Sequence, residues 1–147
     1  MKTWTKRLLA LLCAGVLCLS LFACQSKEAP QSGAADGLWA DALYTADTEL
    51  GSGAKKLTVT VKAGERSVVF TLHTDAETVG EALLAEKLIE GDVGEFGLYV
   101  KKVNGMLADY DVDQTYWAFC KSGEMMMTGV DMTEFADGDA YELVREK

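Results

Sequence analysis

Cysteine, histidine and positive charge are all scarce in this chain, and each scarcity excludes something. Of the four cysteines, Cys13 and Cys18 lie in an apolar N-terminal stretch and Cys24 ends it, which leaves Cys120 alone in the remainder. A single thiol cannot form an intramolecular disulfide, so the folded part must be held by its core. His73 is the only histidine. No serine, cysteine or histidine sits in a nucleophile setting and no metal-ligand spacing appears, so the chain reads as a non-enzyme that requires no cofactor. Fourteen basic residues face 23 acidic ones, a formal charge of −9. A surface this acidic repels phosphate backbones and argues against nucleic acid as a partner.

What the N-terminus does have is a long apolar run. Lys2, Lys6 and Arg7 precede apolar residues 8–22, and Ala23 stands directly before Cys24. A run of about 15 is shorter than the ~20 residues a helix needs to cross a bilayer, and basic, apolar, small is the order of a signal peptide. Leu21-Phe22-Ala23-Cys24 resembles the bacterial lipobox, with Phe22 bulkier than the usual residue at its position. The resemblance implies cleavage before Cys24, a lipid on its sulfur, and a mature protein anchored in the cell membrane and facing the outside of the cytoplasmic membrane. Loss of residues 1–23 removes three bases and no acid, which takes the formal charge from −9 to about −12.

Three regions follow from composition: a lipoprotein signal peptide over residues 1–23, a lipid-anchored and partly apolar tether over 24–50, and one folded domain over 51–147. Residues 25–35 read QSKEAPQSGAA, too polar and small to bury themselves. Leu38, Trp39, Leu43 and Tyr44 are too apolar for pure linker. They either pack loosely on the domain or form a disordered arm. The remaining ~95 residues suffice for one small domain.

Within that domain the pattern is regular. Leu57, Val59 and Val61 alternate with polar residues, then Val68, Phe70 and Leu72 do the same after a turn at Ala63-Gly64-Glu65, which predicts a β-hairpin. Thr78 and Glu81 have capping-box spacing, so a helix starts at Val79, buries Val79, Leu83, Leu84 and Leu88, and stops at Gly91. Residues 98–103 read as strand and Asn104-Gly105 as a two-residue turn. Residues 115–120 form another strand, Ser122-Gly123 returns it into Met125-Met126-Met127, and residues 140–145 close the chain. One helix and several strands predict a small α+β domain, β-grasp-like, with a mostly antiparallel sheet and the helix packed across it.

Several constellations can carry function. Trp117 and Phe119 share one face of their strand, either as ordinary core or as an apolar platform for a flat ring. In the run Met125-Met126-Met127, alternation sends Met126 the opposite way from its neighbours. Asp109, Asp111 and Asp113 invite a calcium reading. An EF-hand loop, though, needs Gly and Glu where Gln114 and Cys120 stand, which leaves a looser oxygen-ligand site or a solvated acidic loop. His73 ends a strand with nothing to place it near the aromatic pair, and Cys120 reads as a small buried hydrophobe.

Residues 94–131, GEFGLYVKKVNGMLADYDVDQTYWAFCKSGEMMMTGVD, resemble bacterial transcobalamin-like C-terminal domains. The match is carried by Tyr116-Trp117 with Phe119, Ser122-Gly123, Gly129-Val130, TVGEALL over residues 78–84, and the closing Asp137-Gly138-Asp139 with Tyr141 and Leu143. The resemblance implies the β-domain fold that lines one wall of a cobalamin site in transcobalamin and intrinsic factor. Carried over by motif, it places Trp117, Phe119, Met126, Gly129 and Val130 against a corrinoid ligand. The large helical domain that forms the other wall in those carriers has no counterpart here. A corrinoid transporter or second binding domain would complete the enclosure. The expectation is therefore a lipid-anchored extracytoplasmic binding module that captures or hands over cobalamin or related corrinoids. The alternative is a protein–protein interaction or surface-assembly domain without a small ligand.

Overall fold

The structure, a computed structural model, describes residues 36–147. Residues 1–23, expected as a signal peptide, Cys24 and residues 25–35, expected as polar tether, lie outside the described residues. No helix among the described residues is long and apolar enough to cross a membrane.

The fold is β-rich. Strands β2 (Lys55–Ala63) and β3 (Arg66–Thr74) form the expected hairpin, with Gly64 at φ 61° in its turn. Every second side chain of the pair, from Leu57 to Val61 and from Val68 to Leu72, is buried. β1 (Thr48–Gly51) adds parallel to β3 on the outer side, and β9 (Ala140–Glu146) adds parallel to β2 on the inner side. β7 (Tyr116–Lys121) then pairs antiparallel with β9, and β8 (Glu124–Met125) caps that edge. The sheet order is β1-β3-β2-β9-β7-β8. A second, three-stranded antiparallel sheet is built from β4 (Ile89–Gly94), β5 (Gly97–Val103) and β6 (Met106–Leu107). Helix α2 (Val79–Ala85) and this second sheet cover the apolar face of the first. Val79, Ala82, Leu83, Ile89, Val100, Val103 and Met106 join the same buried cluster as Leu57, Phe70 and Leu143.

The capping box forms as read: the Glu81 amide donates to Thr78 Oγ1 at 3.2 Å and the Glu81 carboxylate accepts from the Thr78 amide at 3.3 Å. The helix is shorter than its apolar spacing suggests. The amide of Lys87, at φ 56°, donates to Leu84 O, and that of Leu88 to Leu83 O, a Schellman closure with lysine where glycine is usual. Leu88 and Ile89 are both buried as the chain turns into β4. Gly91 is not the helix stop. It sits at a bulge in β4, where a Cβ would lie 2.1 Å from Tyr99 O. The expected Met125–Met127 strand ends at Met125.

The segment before β1 is docked, not loose. After α1 (Asp36–Trp39), Trp39 is buried and its Nε1 donates to Ala63 O at 3.0 Å, while the Arg66 guanidinium lies over its ring. Tyr44 meets Phe70 edge-on with ring centres 5.6 Å apart. The described part of the expected tether thus belongs to the folded unit.

Candidate functional site

The aromatic pair singled out from the sequence lies on the covered face. Register places Trp117 opposite Arg145 and Phe119 opposite Leu143, on the side that carries Val59 and Phe70. Trp117 is 7 % and Phe119 8 % exposed, and Phe119 stacks on Tyr141 at 5.3 Å. Trp117 Nε1 is buried with no hydrogen-bond partner. Val130 is buried too, and Met126 is half-buried against the core, with its amide donating to Phe119 O at 2.8 Å. Met126 does point away from its neighbours, since Met125 and Met127 are exposed. Phe119, Met126 and Val130 thus share the core, and Gly129 stands beside it, half-buried.

Exposed apolar side chains lie one layer further out at two segments, the first passed over in the sequence and the second continuing from the methionine run, with others at Leu43, Leu107, Tyr110 and Val112. The first is the β4–β5 hairpin tip. Gly94 pairs with Gly97, so Glu95-Phe96 form a two-residue turn, and Gly97 takes φ 98°. Phe96 is 92 % exposed, Val93 85 %, and Tyr99 partly so. A shallow depression of about 200 Å³ runs along residues 94–99. The second is the return from β8 through Met127, 99 % exposed, to a short 3-10 helix (Val130–Met132) that ends on exposed Met132.

Asp131 joins the two. Its Oδ2 accepts from the Leu98 amide at 3.0 Å, and its Oδ1 is buried without a partner. β6 pairs only with Lys102 and Val103, so no strand reaches Leu98 on that side and the carboxylate takes the place of one. Glycines from three segments make the room. A Cβ at Gly97 would lie 2.7 Å from Oδ2, one at Gly129 2.8 Å from Oδ1, and one at Gly80 2.8 Å from Asp131 Cα. No sequence signal marks this contact, because Asp131 and Leu98 are 33 residues apart.

The acidic triplet is dispersed into separate tasks. Asp109 caps α3 (Tyr110–Asp113) by accepting from the Asp111 amide at 3.1 Å, and lies 3.8 Å from Lys101 Nζ. Asp113 accepts from the Thr115 amide at 3.0 Å and from Arg145 at 2.9 Å. The Thr115 hydroxyl, with its amide and Arg145, holds the Asp113 carboxyl below its ordinary range. Among the described residues, no group of three or more His, Cys, Asp or Glu is placed to hold a metal ion. His73 lies on the face opposite Trp117, three strands away, with Nε2 2.5 Å from Glu49 Oε1. Cys120 is buried, and that burial pushes its thiol up.

No family model matches the chain, and no curated protein matches it. Solved structures do. A candidate metal-binding protein from Ruminococcus gnavus ATCC 29149, whose crystal structure was determined at 1.30 Å, is 41% identical, with a TM-score of 0.61 over 64% of this chain and 98% of that one. This chain belongs to the same family as that Ruminococcus protein. Haptocorrin in complex with Cbi is also similar, at 19% identity and a TM-score of 0.48 over 63% of this chain, which spans about a quarter (25%) of haptocorrin. The likeness to the corrinoid carriers is therefore weak.

Proposed function

We propose that this chain is a lipid-anchored, extracytoplasmic binding module on a β-grasp-like frame, and that it presents an exposed apolar corner to a ligand such as a corrinoid. The observation that carries the reading is the concentration of exposed apolar side chains around one contact. Phe96 and Met132 each stand one residue from the Gly97–Asp131 contact, with Val93 and Met127 close along the chain. Patches of this kind on a small acidic domain mark binding surfaces. Aromatic and methionine side chains suit an irregular apolar ligand, the first for rigid area and the second for adaptability. The resemblance to transcobalamin-like domains runs from about Lys55 to the C-terminus, and residues 94–131 within it supply Phe96, Met127 and Asp131. Trp117 and Phe119 then support the wall from beneath. The lipid on Cys24 raises the local concentration of module and membrane partner, which favours handover to a transporter. No step of this function is chemical.

Titration of the full chain in mild detergent with cobalamin and cobinamide, by calorimetry and visible spectroscopy, tests the ligand. Saturable binding weakened by Phe96→Ala supports the reading, and absence of binding up to high micromolar concentration overturns it. Radiolabelled palmitate incorporation that is lost in Cys24→Ser tests the anchor.

A second reading has its own observation. β4 is an edge strand with residues 90–94 exposed, so its outer backbone groups are free to pair with a strand of another protein. Capture of a peptide strand with no response to corrinoids would favour it.

A further inference from the structure

We infer that Asp131 is the positioning residue of the apolar corner, a latch that holds the methionine-bearing return segment against the β4–β5 hairpin. The inference rests on the proposed binding role, but its geometry stands independently. The hairpin tip projects from the shorter sheet, and the backbone pairing on the β6 side of β5 ends at Lys101, whose carbonyl accepts from the Ala108 amide at 2.8 Å, short of Leu98. Only the Asp131 carboxylate satisfies the Leu98 amide there, at 3.0 Å. The return segment is internally stiff. Thr133 Oγ1 donates to Gly129 O at 2.8 Å, the Met132 amide donates to the same oxygen at 3.2 Å, and the Thr128 and Thr133 hydroxyls lie 2.9 Å apart. On its other side the segment is held to α2, where the Val79 amide donates to Thr133 O at 2.9 Å and Val130 is buried, so cutting the carboxylate tie releases its contact with the hairpin and leaves the rest in place.

The tie is also finely poised. Oδ2 gains a charge-assisted bond, while Oδ1 is buried with no donor, and a buried unpaired carboxylate oxygen costs part of what the bond contributes. With the carboxylate held at Leu98, a Cβ at Gly97 or Gly129 would meet it at 2.7 or 2.8 Å, so a side chain at either position must displace it. Gly129 has an ordinary φ of −71°, so its substitution tests that steric requirement without backbone strain. The three glycines and the aspartate come from α2, the hairpin and the return segment, so one side chain registers three elements at the site.

Three variants of the full chain test the latch: Asp131→Ala, Asp131→Asn and Gly129→Ala. Asp131→Ala is expected to speed hydrogen exchange at the Leu98 amide by about tenfold or more, the scale of one lost charge-assisted bond. It should weaken cobinamide binding by a similar factor. Asp131→Asn keeps an oxygen acceptor for Leu98, so both readouts should stay within about threefold of the parent chain. Gly129→Ala pushes on Oδ1 and should reproduce Asp131→Ala with the carboxylate still present. A general loss of fold would instead raise exchange across β2 and β3 as well, and Gly129→Ala then serves as the decisive variant. Unchanged Leu98 exchange in both Asp131→Ala and Gly129→Ala overturns the latch. Cobinamide binding that persists while Leu98 exchange rises overturns its positioning role. If the parent chain does not bind cobinamide, the functional reading fails, and Leu98 exchange alone decides whether the latch exists.

Discussion

Asn104 clasps the backbone of Tyr44 in both directions. Its Nδ2 donates to Tyr44 O at 2.8 Å and its Oδ1 accepts from the Tyr44 amide at 2.9 Å, so the side chain imitates a paired strand residue. The Asn104 amide in turn donates to Leu88 O, and its carbonyl accepts from Leu43. Asn104 is fully buried and sits at φ 51°, which asparagine tolerates better than most residues.

Asn104→Ala should therefore cost about 2–4 kcal/mol, two hydrogen bonds plus left-handed strain. Asn104→Gly loses the same bonds but relieves the strain, and should be less destabilising by roughly 1 kcal/mol. Urea unfolding measures both, and equal costs would show that the backbone conformation contributes nothing. In either variant the arm carrying Trp39 should become more accessible to fluorescence quenchers.

The two buried tryptophans of the domain make opposite predictions. Trp39 Nε1 has an acceptor in Ala63 O, and Trp117 Nε1 has none. Replacement by phenylalanine removes a satisfied donor from the first and an unsatisfied one from the second. Relief of the orphaned donor, worth about 1–3 kcal/mol, offsets much of the lost packing at position 117. Trp117→Phe should thus cost at least about 1 kcal/mol less than Trp39→Phe in parallel urea titrations. Equal costs would indicate that ordered water already serves Trp117.

The strands and turns with strong local signals were legible in the sequence, and long-range contacts were not. Alternation through Leu57–Val61 and Val68–Leu72, the Thr78/Glu81 box and the Asn104-Gly105 turn all act within a few residues. β1 and β4 carry weak periodicity, and what makes them strands is the partner each finds, β3 and β5. Trp117 and Phe119 shared a face as read, but which face the second sheet covers depends on packing that no local pattern encodes. The same blindness hid Phe96 as the exposed aromatic and Asp131 as its neighbour.

Cys120 should be nearly inert in the folded protein. Burial pushes its thiol up, and the carboxylates of Glu142 and Glu146 add to that, so little thiolate forms near pH 8. Reaction with Ellman's reagent is expected to be at least about 100-fold slower in native protein than in denaturant, since both access and ionisation are lost. The number of thiols released on unfolding adds a test of maturation. One per chain fits cleavage and lipidation at Cys24, whereas four would mean an unprocessed, unmodified chain. A fast native reaction would place Cys120 at an open sheet surface.

Stability should fall as the solution is acidified below about pH 4.5, and Asp139 should account for part of the fall. The Ala136 amide holds the Asp139 carboxyl below its ordinary value of 3.8, with Lys121 adding to it against the opposing effect of burial. Lys62 does the same for Glu142, ordinarily at 4.5, and Thr115 for Asp113. A carboxyl depressed in the folded state binds fewer protons there than in the unfolded chain. Stability from these groups is thus fully present above their ordinary values and lost as pH falls through the folded ones. Asp139→Asn removes that difference at one site, so its denaturation midpoint should be lower than the parent's at pH 6 and closer to it at pH 3. Asp113 is exposed, and Asp139 and Glu142 are half-buried with partners that reach water, so high salt should flatten the profile in part. A gap between variant and parent that widens as pH falls would reverse the sign and exclude Asp139 as a source of acid sensitivity.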